Sequence, residues 1–186
     1  MGRYVALFRG INVGKAKRIS MADLSALLGK LGYTDVRTLL NSGNAVFSGD
    51  DDAAPEHAAR IRAAVAKKLA VDAHVVVKSE REIAAIIKGN ALGALATDPA
   101  RLLIVFTDDP RGLAGLKALA RTDWNPEKIH VGKHAAYAWC ANGILESKAL
   151  ETLLKSLGAS GTTRNWTTLN RIHALMRDAA PATSGR

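Results

Sequence analysis

The first 78 residues alternate strand-like and helix-like segments in the order β-α-β-β-α-β, and this order constrains the fold more than any other feature of the chain. Residues 4–8, Tyr-Val-Ala-Leu-Phe, read as a strand. Ser20 stands as an N-cap before Met21, Leu24, Leu27, Leu28 and Leu31, which form one helical stripe. Gly32 closes that helix, since glycine enters the left-handed conformation without a steric penalty. Residues 35–40 and 44–48 read as strands joined by Asn41-Ser42-Gly43, a turn whose Asn and Gly accept positive φ. Residues 56–69 carry Ile61, Val65 and Leu69 on one side of a helix, and residues 73–78 read as a fourth strand. This is the split βαβ, or ferredoxin-like, arrangement. Both helices then cover one face of an antiparallel sheet, and the other face is left for a partner, a ligand or a second domain.

The rest of the chain repeats part of this order without obvious sequence identity. Ser79 with Glu82 three residues later is a capping box opening a helix that carries Ile83, Ile86 and Ile87. Residues 90–100 connect it to residues 102–106, a wholly apolar strand expected to be buried on both faces. A helix follows from Asp108-Asp109-Pro110, and residues 128–131 and 135–140 make a second hairpin around Gly132. Helices are expected over residues 144–157 and 165–177, with residues 158–161 as a loop. The expected class is α+β with two ferredoxin-like halves, mostly antiparallel sheets with helices packed on one face. The expected division is residues 1–78, residues 79–180 with an extra C-terminal helix, and a frayed tail at 181–186.

Composition excludes several alternatives. In 186 residues, 48% are apolar and 23% charged, the globular average and not that of a disordered chain. The longest apolar run, residues 135–141, falls far short of the ~20 residues that span a bilayer. The start, Met1-Gly2-Arg3-Tyr4, carries no secretory segment, and the single cysteine, Cys140, fits a reducing compartment. A cytoplasmic location without a membrane partner is expected. The net charge is +9 and points to anionic partners. It divides evenly: 12 basic against 7 acidic side chains in residues 1–78, and 14 against 10 thereafter.

Three polar segments stand out. Arg9-Gly10-Ile11-Asn12-Val13-Gly14-Lys15-Ala16-Lys17-Arg18 has four basic residues and no acid after a strand. It is not a P-loop: three residues rather than four separate its glycine from Gly14-Lys15, and Ala16 stands where Ser or Thr would hold magnesium. It can be a generic anion site or simply a basic loop with glycines for turn geometry. Ser42-Gly43-Asn44 is either the rim of a site or a hairpin turn. Thr162-Thr163-Arg164-Asn165-Trp166-Thr167-Thr168 offers a Thr or Asn to cap the last helix and places Arg164 near a helix start, where the dipole disfavours a cation; Arg164 is then held by a carboxylate, used to bind an anion, or simply a solvated surface arginine. Trp166 is read as core. His130 and His134 have no neighbouring cysteine, so no metal site is expected; Cys140 reads as a buried small residue, and Asp50-Asp51-Asp52 as a solvated loop.

Residues 4–14, then Ser42-Gly43-Asn44-Ala45-Val46-Phe47, then Thr163-Arg164-Asn165-Trp166-Thr167-Thr168, together resemble the DUF1697 family, bacterial proteins of unknown function. The family pattern has Gly-Gly after Asn-Val, where this chain has Gly14-Lys15. The resemblance implies two ferredoxin-like halves and no established activity, cofactor or catalytic residue. The leading expectation is a small phosphorylated or carboxylated ligand, with or without turnover. Arg9, Lys15 and Arg164 would neutralise it, and Asn12, Ser42, Asn44 and Asn165 would orient it. The alternatives are an RNA- or DNA-binding module and a structural or interaction protein using the open sheet face. Against the first, the third strand lacks the aromatic signature of RNA-stacking sheets. The sequence leaves the oligomeric state open.

Overall fold

The computed structural model describes residues 1–15 and 17–178. Its first sheet contains β1 (Gly2–Phe8), β2 (Thr34–Leu39), β3 (Asn44–Gly49) and β4 (Val75–Ser79) in the order β2-β3-β1-β4, all antiparallel. The helices α1 (Met21–Lys30) and α2 (Ala54–Leu69) belong to this half. After α3 (Glu80–Lys88) come β5 (Leu102–Thr107), α4 (Pro110–Gly115) and a 3-10 turn. The chain continues through β6 (Lys128–Val131), β7 (Ala136–Trp139), α5 (Lys148–Leu157), β8 (Gly161–Asn165) and α6 (Trp166–Arg177). The second sheet runs β6-β7-β5-β8, again antiparallel. Both sheets share one topology, consistent with two ferredoxin-like halves.

Local chemistry sets the element ends. Ser20 Oγ accepts from the Asp23 amide at 3.0 Å, and Gly32 takes φ +89° just past α1. Ser79 and Glu82 form the expected capping box at α3. Strand alternation then sorts side chains into layers. Tyr4, Ala6 and Phe8 of β1, with Ala45 and Phe47 of β3, join Leu24, Leu28, Ile61 and Val65 under α1 and α2. The intervening Val5, Leu7, Val46 and Val76 face the other way. They meet Ile83 and Ile86 of α3, Leu169, Ile172 and Met176 of α6, and Leu102, Ile104 and Phe106 of β5. Leu103 and Val105 turn outward onto Leu113, Leu153 and Leu157. Every residue of β5 is buried, as a central strand covered on both faces requires.

Of the occupants expected for the other sheet face, a partner, a ligand or a second domain, it is the second half with α3 and α6 that covers it. This removes the platform that a sheet-face RNA reader or a sheet-face dimer would use. Two contacts reinforce the closure: Arg3 donates to the Met176 carbonyl at the end of α6 (2.7 Å), and Tyr137 on β7 donates to the Ile86 carbonyl of α3 (2.6 Å). Most boundaries shift by one or two residues, and three elements differ by more than that. Residues 161–165 form a strand where the sequence pattern predicts part of a loop and the last helix's start. The helix expected from 144 begins at Lys148 with Ser147 as its cap, leaving Leu145 97% exposed. The helix after Pro110 is short and tightens into a 3-10 turn at Leu116. The expected tail, 181–186, lies outside the described residues. Among the described residues no helix is long and apolar enough to cross a membrane.

Candidate functional site

Three chain segments meet beyond the end of β1. The polypeptide leaves β1 at Phe8, β3 begins at Asn44, and β8 brings Arg164 beside both. Arg164 is on a strand paired with β5, opposite Ile104, rather than at a bare helix start. Its guanidinium is the centre of the arrangement. Nε donates to Asn44 Oδ1. Nη1 donates to Thr162 Oγ1 (3.1 Å) and the Thr163 carbonyl (2.6 Å). Nη2 donates to the carbonyls of Phe8 (2.8 Å) and Gly43 (3.0 Å), with Ser42 O at 3.4 Å. All five N–H groups of an arginine can be matched this way. Every one of these acceptors is neutral, and among the described residues no carboxylate lies within ion-pair distance of Arg164. The side chain is only 8% exposed, and burial pushes its pKa down to about 10, so it remains a cation at neutral pH.

Gly43 makes this approach possible. Its φ is +87°, and a Cβ there would sit 2.6 Å from Ile11 Cδ1 and 2.8 Å from Phe8 Cβ. Its carbonyl also receives the Phe8 amide at 2.9 Å. Around this centre lies a pocket of about 230 Å³ whose wall includes Arg9, Gly10, Val13, Ser42, Thr163 and Arg164. Arg9 is half-buried and donates to the Gly158 carbonyl at the C-terminal end of α5, where a helix dipole favours a cation.

The seven residues singled out in the sequence fare differently. Arg9, Ser42 and Arg164 share the pocket. Asn44 is fully buried and supports Arg164 from behind, with its amide also donating to the Leu39 carbonyl at 2.7 Å. Asn12 takes φ +56° and staples its own loop: Nδ2 donates to the carbonyls of Ile19 and Asn41, and Oδ1 accepts from the Ile19 amide, each at 2.8 Å. Lys15 stands exposed on that loop and does not line the pocket. Asn165 caps α6, accepting from the Thr168 amide at 2.8 Å. Sequence reasoning includes Thr162 and Thr163 in the third polar segment without giving them a site role, and misses the carbonyls of Phe8 and Gly43. Backbone acceptors leave no mark in a sequence, although the β-branched Thr162-Thr163 pair is a strand signal.

The remaining candidates have ordinary roles. Trp166 packs against the inner core. Cys140 is fully buried, and burial raises its thiol pKa, which keeps it protonated and unreactive. Among the described residues no group of three or more His, Cys, Asp or Glu side chains is arranged to hold a metal ion.

Residues 1–137 match the family described as protein of unknown function, DUF1697. The chain belongs to that family. Two of the three segments resembling DUF1697 proteins lie in the matched region; the Thr163–Thr168 segment lies beyond it. The conserved bacterial protein SP0830 from Streptococcus pneumoniae is similar in fold, with a TM-score of 0.72 and 23% identity over 94% of this DUF1697 chain and 98% of that one. No curated protein matches the chain.

Proposed function

We propose that this protein binds a small phosphorylated or carboxylated anion in the pocket between the 9–18 loop, the 42–44 turn and β8. The observation that carries the reading is Arg164: a buried cation whose hydrogen-bond partners are all neutral. Its donors are satisfied but its charge is not, and in a low-dielectric wall that charge attracts an anion more strongly than it would in water. Arg9 supplies a second positive charge at the pocket wall, with donors beyond the one given to Gly158. Ser42 and Thr163 offer hydrogen bonds at the rim, and Lys15 adds charge from the exposed loop. In this reading Arg164 acts through its field rather than by direct contact. Ser42 has the Asn44 amide as its side-chain neighbour, at 3.4 Å, and among the described residues no base is hydrogen-bonded to it, so the reading is binding rather than acyl or phosphoryl transfer.

Thermal unfolding at constant ionic strength tests it, with pyrophosphate and citrate as probes and chloride as the control. Binding to the folded state raises Tm with probe concentration. Arg9→Gln is expected to weaken the effect about tenfold by removing one charge-assisted contact. No Tm shift with either probe, or an unchanged shift in Arg9→Gln, defeats the proposal.

A further inference from the structure

A second cavity, of about 320 Å³, opens between α2 and α4 and draws its lining from both halves of the molecule. None of the three polar segments contributes to it. Its walls include the apolar Ala58, Val77 and Leu113, and its charged groups are Lys78, Lys133, Glu82 and Asp108.

Lys78 is the unusual member. It is 9% exposed, although lysine is among the residues least often buried. An ammonium carries three donors. Among the described residues its one acceptor is Glu82 Oε1, at a long 3.4 Å. The other oxygen, Oε2, is occupied by the α3 capping box, accepting from the Ser79 amide at 2.9 Å. A nearly buried lysine with two unassigned donors, lining a cavity, is a site short of an acceptor.

The surrounding charges limit what that acceptor can be. Lys78 and Lys133 are balanced by Glu82 and Asp108, and His134 Nδ1 lies 3.8 Å from Glu82 Oε1. A doubly charged phosphate would face two carboxylates at close range. A single negative charge avoids most of that repulsion, and the apolar walls favour hydrocarbon behind it. We propose that this cleft binds a small monocarboxylate with an apolar body, its carboxylate accepting from Lys78 and its hydrocarbon lying against Ala58, Val77 and Leu113.

Hexanoate is a suitable probe, with hexanol as its uncharged counterpart, followed by amide and side-chain NMR. Hexanoate is expected to shift the amides of Val77, Lys78, Glu82 and His134 saturably, with hexanol binding at least about tenfold more weakly for lack of the charge-assisted bond. Lys78→Met is expected to lower hexanoate affinity by about the same factor, while Arg9→Gln leaves it unchanged. The ε-methylene signal of Lys78 reads out binding in the wild-type chain and does not depend on the variant folding: it is expected to move with the same saturation curve. The proposal falls if that signal stays still, if hexanol binds as well as hexanoate, or if folded Lys78→Met binds like wild type. Loss of hexanoate binding in Arg9→Gln, with amide shifts localising to residues 9–14, overturns it in favour of the first pocket.

Discussion

At the scale of single residues, Arg164 joins segments 156 positions apart through hydrogen bonds that no other side chain can reproduce. Lysine has three donors on a point charge instead of five in a planar fork. Arg164→Lys is expected to leave acceptors among Phe8 O, Gly43 O and Asn44 Oδ1 unmet, and to cost about 3 kcal/mol in urea unfolding. Asn44→Ala should cost less than that alone and add less than its own cost in the double variant, because both changes break one network. Gly43→Ala combines a left-handed backbone with the close approach to Phe8 and is expected to cost about 2 kcal/mol by the same assay. The value of Arg9, Asn12 and Asn44 as residues worth testing is legible from polar side chains clustered in short motifs. Their division of labour is not. Asn12 and Asn44 bind backbone carbonyls of neighbouring turns, and a sequence does not say which carbonyls a fold will bring near.

At the scale of elements, amphipathic spacing and capping residues locate most helices, and alternation or apolar runs locate seven of the eight strands among the described residues. The exception, β8, reads Gly-Thr-Thr-Arg-Asn and has no apolar alternation. It is a sheet-edge strand whose position comes from pairing with β5, a long-range contact invisible to local periodicity. The late start of α5 has a similar cause: Ile144 suits a helical stripe, but Ser147 caps the helix by accepting the Leu150 amide at 3.1 Å. Asn165, for which the sequence allows both a helix cap and a ligand contact, does the same for α6. Asn165→Ala is expected to cost about 1 kcal/mol in thermal stability, and Asn165→Asp or Ser only a fraction of that. Both replacements should leave the pyrophosphate-induced Tm shift unchanged.

At the scale of the whole molecule, the shared inner core makes the two sheets one structural unit, and their repeated order β-α-β-β-α-β is readable for the first half and only partly for the second. Which face each sheet buries is not readable, because that depends on where α3 and α6 fall. Tyr137 reports on this inner layer. Burial raises its pKa to about 12 from 10.0. Its contribution is intact below pH 10 and is lost as pH rises towards 12, because the unfolded chain ionises first. The full loss is on the order of 2 kcal/mol. Tyr4 and Tyr33 are raised as well and act in the same direction. Arg164, lowered to about 10 from 12.5, opposes them by releasing its proton first in the folded state. The Tyr137 and Arg164 contributions run in opposite directions and are of similar size, so the Tyr137 contribution is read as the difference between wild type and Tyr137→Phe above about pH 10. Tyr137→Phe should lower Tm modestly at neutral pH, through the lost bond to Ile86, and the gap to wild type should narrow as pH rises above about 10.

The placement of α6 against β1 and β3 also has a bearing on how the chain is made. The inner face of the first sheet, Val5, Leu7 and Val46, is covered by α3 and β5 and also by α6, which ends at Arg177. Part of the cover of β1 is therefore synthesised about 160 residues after the strand itself. Such late, distant contacts slow folding, since the chain must close large loops before they stabilise anything. A nascent chain halted before residue 161 should retain the α1 and α2 layer yet present an unfinished apolar surface to chaperones, and release of β8 and α6 should be the step that hides it.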